Sequence, residues 1–192
     1  MNVSVSTTRF TLSPLPIAGV VSVCRQRTGD ARGSLSRLFC AQELAAAGWQ
    51  WPVAQINHTH TQIAGTVRGM HYQTPPHTEA KLVTCLRGRV WDVAVDLRPT
   101  SPTFLQWCAL ELSASNEAAL LIPPGCAHGF QTLTDDVEML YAHSHAYTSE
   151  ADAGVHPCDP RVGVAWPMPI TLMSDRDAHR PMLNDHFAGV TP

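Results

Sequence analysis

Between Val53 and Ala142 the chain is divided into eight short strand-like segments, and this division limits what it can fold into more than any other feature. Val53–Asn57, Gly65–Tyr72, Lys81–Arg87, Arg89–Leu97, Phe104–Leu112, Ala118–Ile122, Gly129–Leu133 and Val137–Ala142 follow one another closely. The run Val90-Trp91-Asp92-Val93-Ala94-Val95-Asp96 shows how rich they are in strand formers. Gly88, Pro99, Pro102, Asn116, Pro123-Pro124-Gly125 and Asp135-Asp136 stand between them, all residues that favour turns. Short strands at such regular spacing indicate a β-sandwich or barrel.

Upstream, Ile17–Cys24 reads as a strand, Gly29-Asp30-Ala31-Arg32-Gly33 as a turn and Ser34–Phe39 as a second, weaker strand. Ala41–Ala47 suits a short helix ended by Gly48. The tail from Thr148 is rich in Pro, Asp and Ala and is expected to wrap the barrel in short helices and loops. With no repeat and no linker, the 192 residues read as one mainly β domain, its core over 17–145 and a C-terminal wrap over 146–192.

A net charge of -3, with no basic run, does not suit a nucleic-acid binder. No apolar stretch reaches membrane-spanning length, and Pro14 and Pro16 interrupt the first one, so a cytoplasmic protein without signal peptide is expected. The six cysteines form no C-x-x-C pair and are expected to be buried reduced thiols.

Two segments carry chemistry. Thr66-Val67-Arg68-Gly69-Met70-His71-Tyr72-Gln73 is followed by Lys81, and later by Pro123-Pro124-Gly125-Cys126-Ala127-His128-Gly129-Phe130. Neutral imidazole is suited to taking a proton beside a carbonyl, and cations to holding the oxygen that becomes negative. On a regular strand His71 would share a face with Gly69 and Gln73. His58 and His60, like His143 and His145, have the two-residue spacing of metal ligands on a strand, which keeps a metal-binding barrel as an alternative.

These segments, with Asp30-Ala31-Arg32-Gly33, Gln55-Ile56-Asn57-His58, Lys81-Leu82-Val83, Ser101-Pro102-Thr103-Phe104, Leu140-Tyr141 and Ser174-Asp175-Arg176-Asp177, resemble the dTDP-4-dehydrorhamnose 3,5-epimerase family, a branch of the cupins. The resemblance runs from about Gly29 to Leu183. It implies a jelly-roll barrel, a homodimer, and inversion of a nucleotide-linked 4-keto-6-deoxyhexose at C3 and C5 with neither metal nor organic cofactor. It further implies that His71 is the base, oriented by Asp177, that Lys81 stabilises the enolate, and that Tyr141 returns a proton from the opposite face. Arg32, Gln55 and Asn57 match positions that contact the diphosphate or sugar, and Tyr147 an aromatic position associated with the nucleobase. Arg68 and His128 are expected to face the same cavity. At the first metal-binding motif of other cupins, His71 is followed by Tyr72 and Gln73, with no adjacent histidine.

The chain departs from the family pattern where Arg37 stands in place of an expected acid and Ala142 in place of a basic residue. Both changes were expected near the nucleotide or the dimer edge, leaving the nucleotide and sugar open. Inversion of one carbon only, and a sugar-nucleotide-binding barrel without catalysis, remain the alternatives.

Overall fold

The computed structural model describes residues 3–192. Their strands are β1 (Val5–Ser6), β2 (Phe10–Pro14), β3 (Val21–Arg25), β4 (Thr28–Asp30), β5 (Gly33–Leu35), β6 (Gln55–Thr61) and β7 (Val67–Gln73). These are followed by β8 (Lys81–Arg87), β9 (Arg89–Asp96), β10 (Trp107–Ser113), β11 (Ala118–Ile122), β12 (Cys126–Thr132), β13 (Val137–His143) and β14 (Asp152–Gly154). Helix α1 (Ala41–Leu44) runs into a 3₁₀ turn at Ala45–Ala47, and α2 (Asp175–Ala178) lies in the tail. A seven-stranded antiparallel sheet, in the order β1-β2-β3-β11-β8-β13-β6, faces a five-stranded one ordered β10-β9-β12-β7-β14. The hairpin β4–β5 stands apart from both. This is the jelly-roll architecture.

Alternation decides what each strand contributes. Val83 and Cys85, Val90 and Ala94, Leu120 and Ile122, and Phe130 and Met139 point between the sheets and form the interior core. The other face of the seven-stranded sheet packs Leu82, Leu121 and Ala142 against Phe10, Leu44 and Trp49. The other face of the five-stranded sheet packs Met70, Val93, Val95 and Ala127 against Val155, Val162 and Val190 of the tail. Strands covered on both faces read as continuous apolar runs, and this explains why β8, β9 and β11 were visible in the sequence. In four of the inward rows the apolar series is broken by a polar residue: Lys81 on β8, Asp92 on β9, His128 on β12 and His143 on β13.

Several expectations shift. The strand expected at Ile17–Cys24 begins at Val21, because Gly19 takes a left-handed φ of 82° and closes a turn in which Val20 N–H bonds the Ile17 carbonyl. That expected at Ser34–Phe39 ends at Leu35, and that expected at Val53–Asn57 is β6, two residues later and longer. Half of the cysteines depart from the buried expectation: Cys85, Cys108 and Cys126 are buried, but Cys24 and Cys158 are exposed and Cys40 is partly so. Burial pushes the Cys85 and Cys108 thiols up to about 11 and that of Cys126 to about 12.

The alternation expected for His71 fails at one point that matters. Between His128↔His71 and Phe130↔Arg68 the register slips, two steps along β12 matching three along β7. This bulge turns Met70 into the tail cluster and lets Arg68 and His71, three residues apart, line the same cleft. Gly69 does not share that face; a Cβ there would come within 2.5 Å of the Gly129 Cα. A Cβ on Gly129 would meet Met70 Sδ at 2.5 Å and the Arg68 carbonyl oxygen at 2.8 Å. Gly129→Ala is therefore expected to cost about 1–3 kcal/mol by overpacking. Urea unfolding should show the midpoint falling at constant slope; an unmoved midpoint would mean the strands are not this close.

Candidate active site

The cleft between the sheets has a volume of about 710 Å³. His71, Lys81, His128, Tyr141 and Asp177 all line it, together with Asn57, Arg68 and Tyr147. Histidines 71 and 128 come from the five-stranded sheet, Lys81 and Tyr141 from the seven-stranded one. His71 and Asp177, 106 positions apart in sequence, meet here.

Asp177 reaches the cleft on α2, whose first turn is capped by Ser174 Oγ accepting from Asp177 N–H. Its Oδ1 lies 2.6 Å from His71 Nε2, and Oδ2 accepts from Gly69 N–H at 3.3 Å. A carboxylate only accepts, so Nε2 carries the proton and Nδ1 keeps its lone pair. Burial pulls the His71 pKa below the ordinary imidazole value, and Asp177 restores only part of that loss. Burial pushes the Asp177 carboxyl up, but its bonds to His71, Gly69 and Ser174 outweigh this and hold it below the usual range. The ring is thus neutral and oriented at neutral pH.

On the opposite wall the Tyr141 hydroxyl lies 3.3 Å from Thr59 Oγ1. Burial pushes its phenol well above the ordinary value, which keeps the proton on oxygen. His128 meets the Tyr141 ring edge-on and pairs through Nε2 with Asp92 Oδ1 at 2.8 Å. Full burial pushes the Asp92 carboxyl up, and its Oδ2 finds no hydrogen-bond partner among the described residues. Lys81 Nζ bonds the His71 carbonyl at 3.1 Å and the Glu79 carboxylate at the same distance. It is the only lysine in the chain.

Two of the expected substrate contacts fall outside the cleft. Arg32 sits on the β4–β5 hairpin, its side chain 89 % exposed and paired with Asp30. Gln55 turns to the Tyr147 backbone N–H, at 2.9 Å, and supports that loop rather than lining the cavity. Arg37 and Ala142 are likewise not cleft residues: Arg37 pairs with Glu43, and Ala142 packs in the Trp49 cluster. Other polar groups at the cleft carry little sequence signal: Arg176 lies within the Ser174–Asp177 motif, Thr59 and Glu79 are polar groups near apolar runs, and Asp92 is buried behind His128 rather than lining the cavity. His58 pairs with Glu138, His60 with Asp136 and His143 with Glu79, while His145 bonds the Ala146 carbonyl. Among the described residues no three His, Cys, Asp or Glu side chains converge as a metal site would need.

The two-sheet barrel with a polar cleft between its sheets is a cupin-type jelly roll. A family model described as dTDP-4-dehydrorhamnose 3,5-epimerase matches residues 14–185. The enzyme of that name from Sinorhizobium fredii is 39 % identical over 170 residues, 88 % of this chain and 87 % of its own. A dTDP-4-dehydro-6-deoxyglucose 3-epimerase from Streptomyces bikiniensis is 37 % identical, over 90 % of this chain and 88 % of its own. The crystal structure of the 3,5-epimerase from Bacillus anthracis with TDP and pyrophosphate bound superposes with a TM-score of 0.87 at 33 % identity, covering 91 % of this chain and 99 % of that one. The chain belongs to the dTDP-4-dehydrorhamnose 3,5-epimerase family.

Proposed function

We propose that the protein inverts C3 and C5 of a dTDP-linked 4-keto-6-deoxyhexose by proton transfer through an enolate. His71 Nδ1 takes the proton next to the C4 ketone while Asp177 stabilises the imidazolium. The charge that develops on the ketone oxygen is held by Lys81 and His128. Tyr141 then delivers a proton to the other face of the ring. Solvent then takes the proton from His71 and returns one to the Tyr141 phenolate, which resets the site for the second carbon. The observation that carries this reading is that His71, hydrogen-bonded to Asp177, and Tyr141 line one cleft from opposing sheets. Arg68, Arg176, Asn57 and Tyr147 offer the charge, amide and aromatic surface that a nucleoside diphosphate needs, and binding there supplies energy remote from the chemistry.

The working form is read as a homodimer in the cytoplasm. Among the described residues no helix is long and apolar enough to cross a membrane. Arg32, outside its own cleft, would serve a substrate only from a second copy. Inversion at C3 alone is the second reading, favoured by the 3-epimerases among the relatives.

The test is incubation with dTDP-4-keto-6-deoxyglucose in D₂O, following deuterium at C3 and C5 by NMR. Incorporation at both carbons supports double inversion, incorporation at C3 alone the second reading, and none at either overturns the assignment. The acid limb of the kcat/KM profile, which reports the free enzyme, should lie below the ordinary imidazole value of 6.5. In Asp177→Asn that limb should move lower still, because the carboxylate is what raises the His71 pKa. The same change should reduce kcat by about 10²–10⁴-fold, since an amide no longer fixes the tautomer. A limb that stays put in the variant would remove Asp177 from its role.

A further inference from the structure

Glu79 lies in the segment entering β8, at the back of the cleft, with a side chain only 8 % exposed. Its Oε1 is 3.1 Å from Lys81 Nζ and its Oε2 is 2.8 Å from His143 Nδ1. Among the described residues it is the one carboxylate within ion-pair distance of Lys81. The segment is pinned in place: Ala80 N–H donates to Ser144 Oγ at 2.7 Å, and Ser144 N–H to the Ala80 carbonyl. His143 and Lys81 are register partners on neighbouring strands, so a carboxylate just ahead of β8 spans both. The His143 ring stacks on Tyr141, with ring centroids 6.1 Å apart, and its Nε2 lies 3.5 Å from Asn57 Nδ2.

We propose that Glu79 is a positioning residue for the epimerisation, holding Lys81 in place as an ammonium and tying it through His143 to the strand that carries Tyr141. The inference rests on the proton-transfer reading above and extends it to a group that touches no reacting atom. The three side chains form an almost closed set: Lys81 donates to Glu79 and to the His71 carbonyl, and His143 donates its Nδ1–H to Glu79. One carboxylate thus sets the distance between the cation that receives the enolate charge and the wall that returns the proton. Burial pushes the Glu79 carboxyl up, but Lys81 and His143 outweigh it, so the group is ionised at working pH. The other titratable groups lining the cleft are His71 with Asp177 and Arg176 beyond it, His128, Tyr141 on β13, Arg68 and Tyr72 on β7, Tyr147, and Asp152 on β14, with the buried Asp92 behind His128. None of them supplies Lys81 with a second carboxylate contact.

Glu79→Gln tests this, because the amide keeps the shape and a hydrogen-bond acceptor for Lys81 but removes the charge. An opposite charge in contact moves a titration by about 1–3 units. The alkaline limb of the kcat profile is therefore expected to fall by about one pH unit, with KM changed less than about twofold. Glu79→Asp, which keeps the charge one methylene further back, should fall between the two. A second readout needs no turnover. Cyanate adds to neutral amines, and with a single lysine in the chain the modified peptide identifies Lys81 unambiguously. At a fixed pH below the limb, carbamoylation of Lys81 should be about tenfold faster in Glu79→Gln than in the native protein, as a one-unit shift requires. Superposable pH profiles and equal labelling rates would overturn the proposal and leave Glu79 a structural residue. If the native enzyme shows no exchange at C3 or C5, the proton-transfer reading fails, while the labelling comparison still decides whether Glu79 holds the lysine charged.

Discussion

His71→Ala is expected to slow deuterium incorporation at C3 and C5 by about 10²–10⁴-fold, the usual worth of a positioned general base. That is roughly 3–5 kcal/mol of barrier. His71 Nδ1 is the free lone pair of a neutral ring, and the carboxylate behind that ring can stabilise the cation it becomes. No other basic group in the cleft has these properties together. The other imidazole of the five-stranded sheet, His128, is tied at Nε2 to a buried carboxyl, and Lys81 is engaged as an ammonium by Glu79. The ring also opens to the cleft, so its removal leaves a space that water can fill. The cost to folding is the loss of one hydrogen bond from Asp177, about 1–3 kcal/mol for a buried charged acceptor, and Gly69 N–H and Ser174 remain beside it. A thermal melt separates that cost from the catalytic one. KM should change little, because a base engaged only in the transition state contributes little to binding the ground state. Exchange in the folded variant within tenfold of native would remove His71 as the base.

How much of this was legible in the sequence depends on burial. Strands β8 and β11 appear with both ends in place because they are apolar on both faces and are bounded by Gly88, Asn116 and Pro123. Strand β6, at the sheet edge and largely exposed, carries a polar pattern, and its start was placed two residues early. Strands β1 and β2 carry little strand signal, since β1 is two residues long and exposed and β2 ends on Pro14. The bulge in β7 had no signature beyond Gly69, although it sets Arg68 and His71 on one face. Among the expected site residues, those embedded in local motifs, His71, Lys81, His128, Tyr141 and Asp177, all line the cleft. Asp92 and Glu79 were missed for a physical reason. Each acts through a partner on another strand, His128 and His143, 36 and 64 positions away, and the register that joins them is a property of the folded sheets. Arg32 shows the converse: a motif can mark a residue that the fold leaves outside the cleft of its own chain.

Tyr141→Phe should separate the two half-reactions. Inversion is expected to fall by about 10²–10⁴-fold, while exchange of the substrate protons with solvent stays within about tenfold of native. The hydroxyl is the only atom lost, and the packing that holds the ring survives. His128 still meets it edge-on at 5.9 Å, and His143 still stacks on it. Thr59 loses one neutral hydrogen bond, a cost of about 0.5–1.5 kcal/mol that leaves the fold intact. With the base and Lys81 untouched, the enolate still forms. The only donor left in the proposed set is His71 itself, on the face from which the proton was taken. Deuterium should therefore enter with retention of configuration, and NMR should show labelled starting epimer accumulating faster than product. A variant that inverts at the native rate would exclude Tyr141 as the acid. A variant that loses exchange and inversion equally would mean that the phenol is needed to form the enolate, and would move the proton-donor role to another group on the β13 side of the cleft.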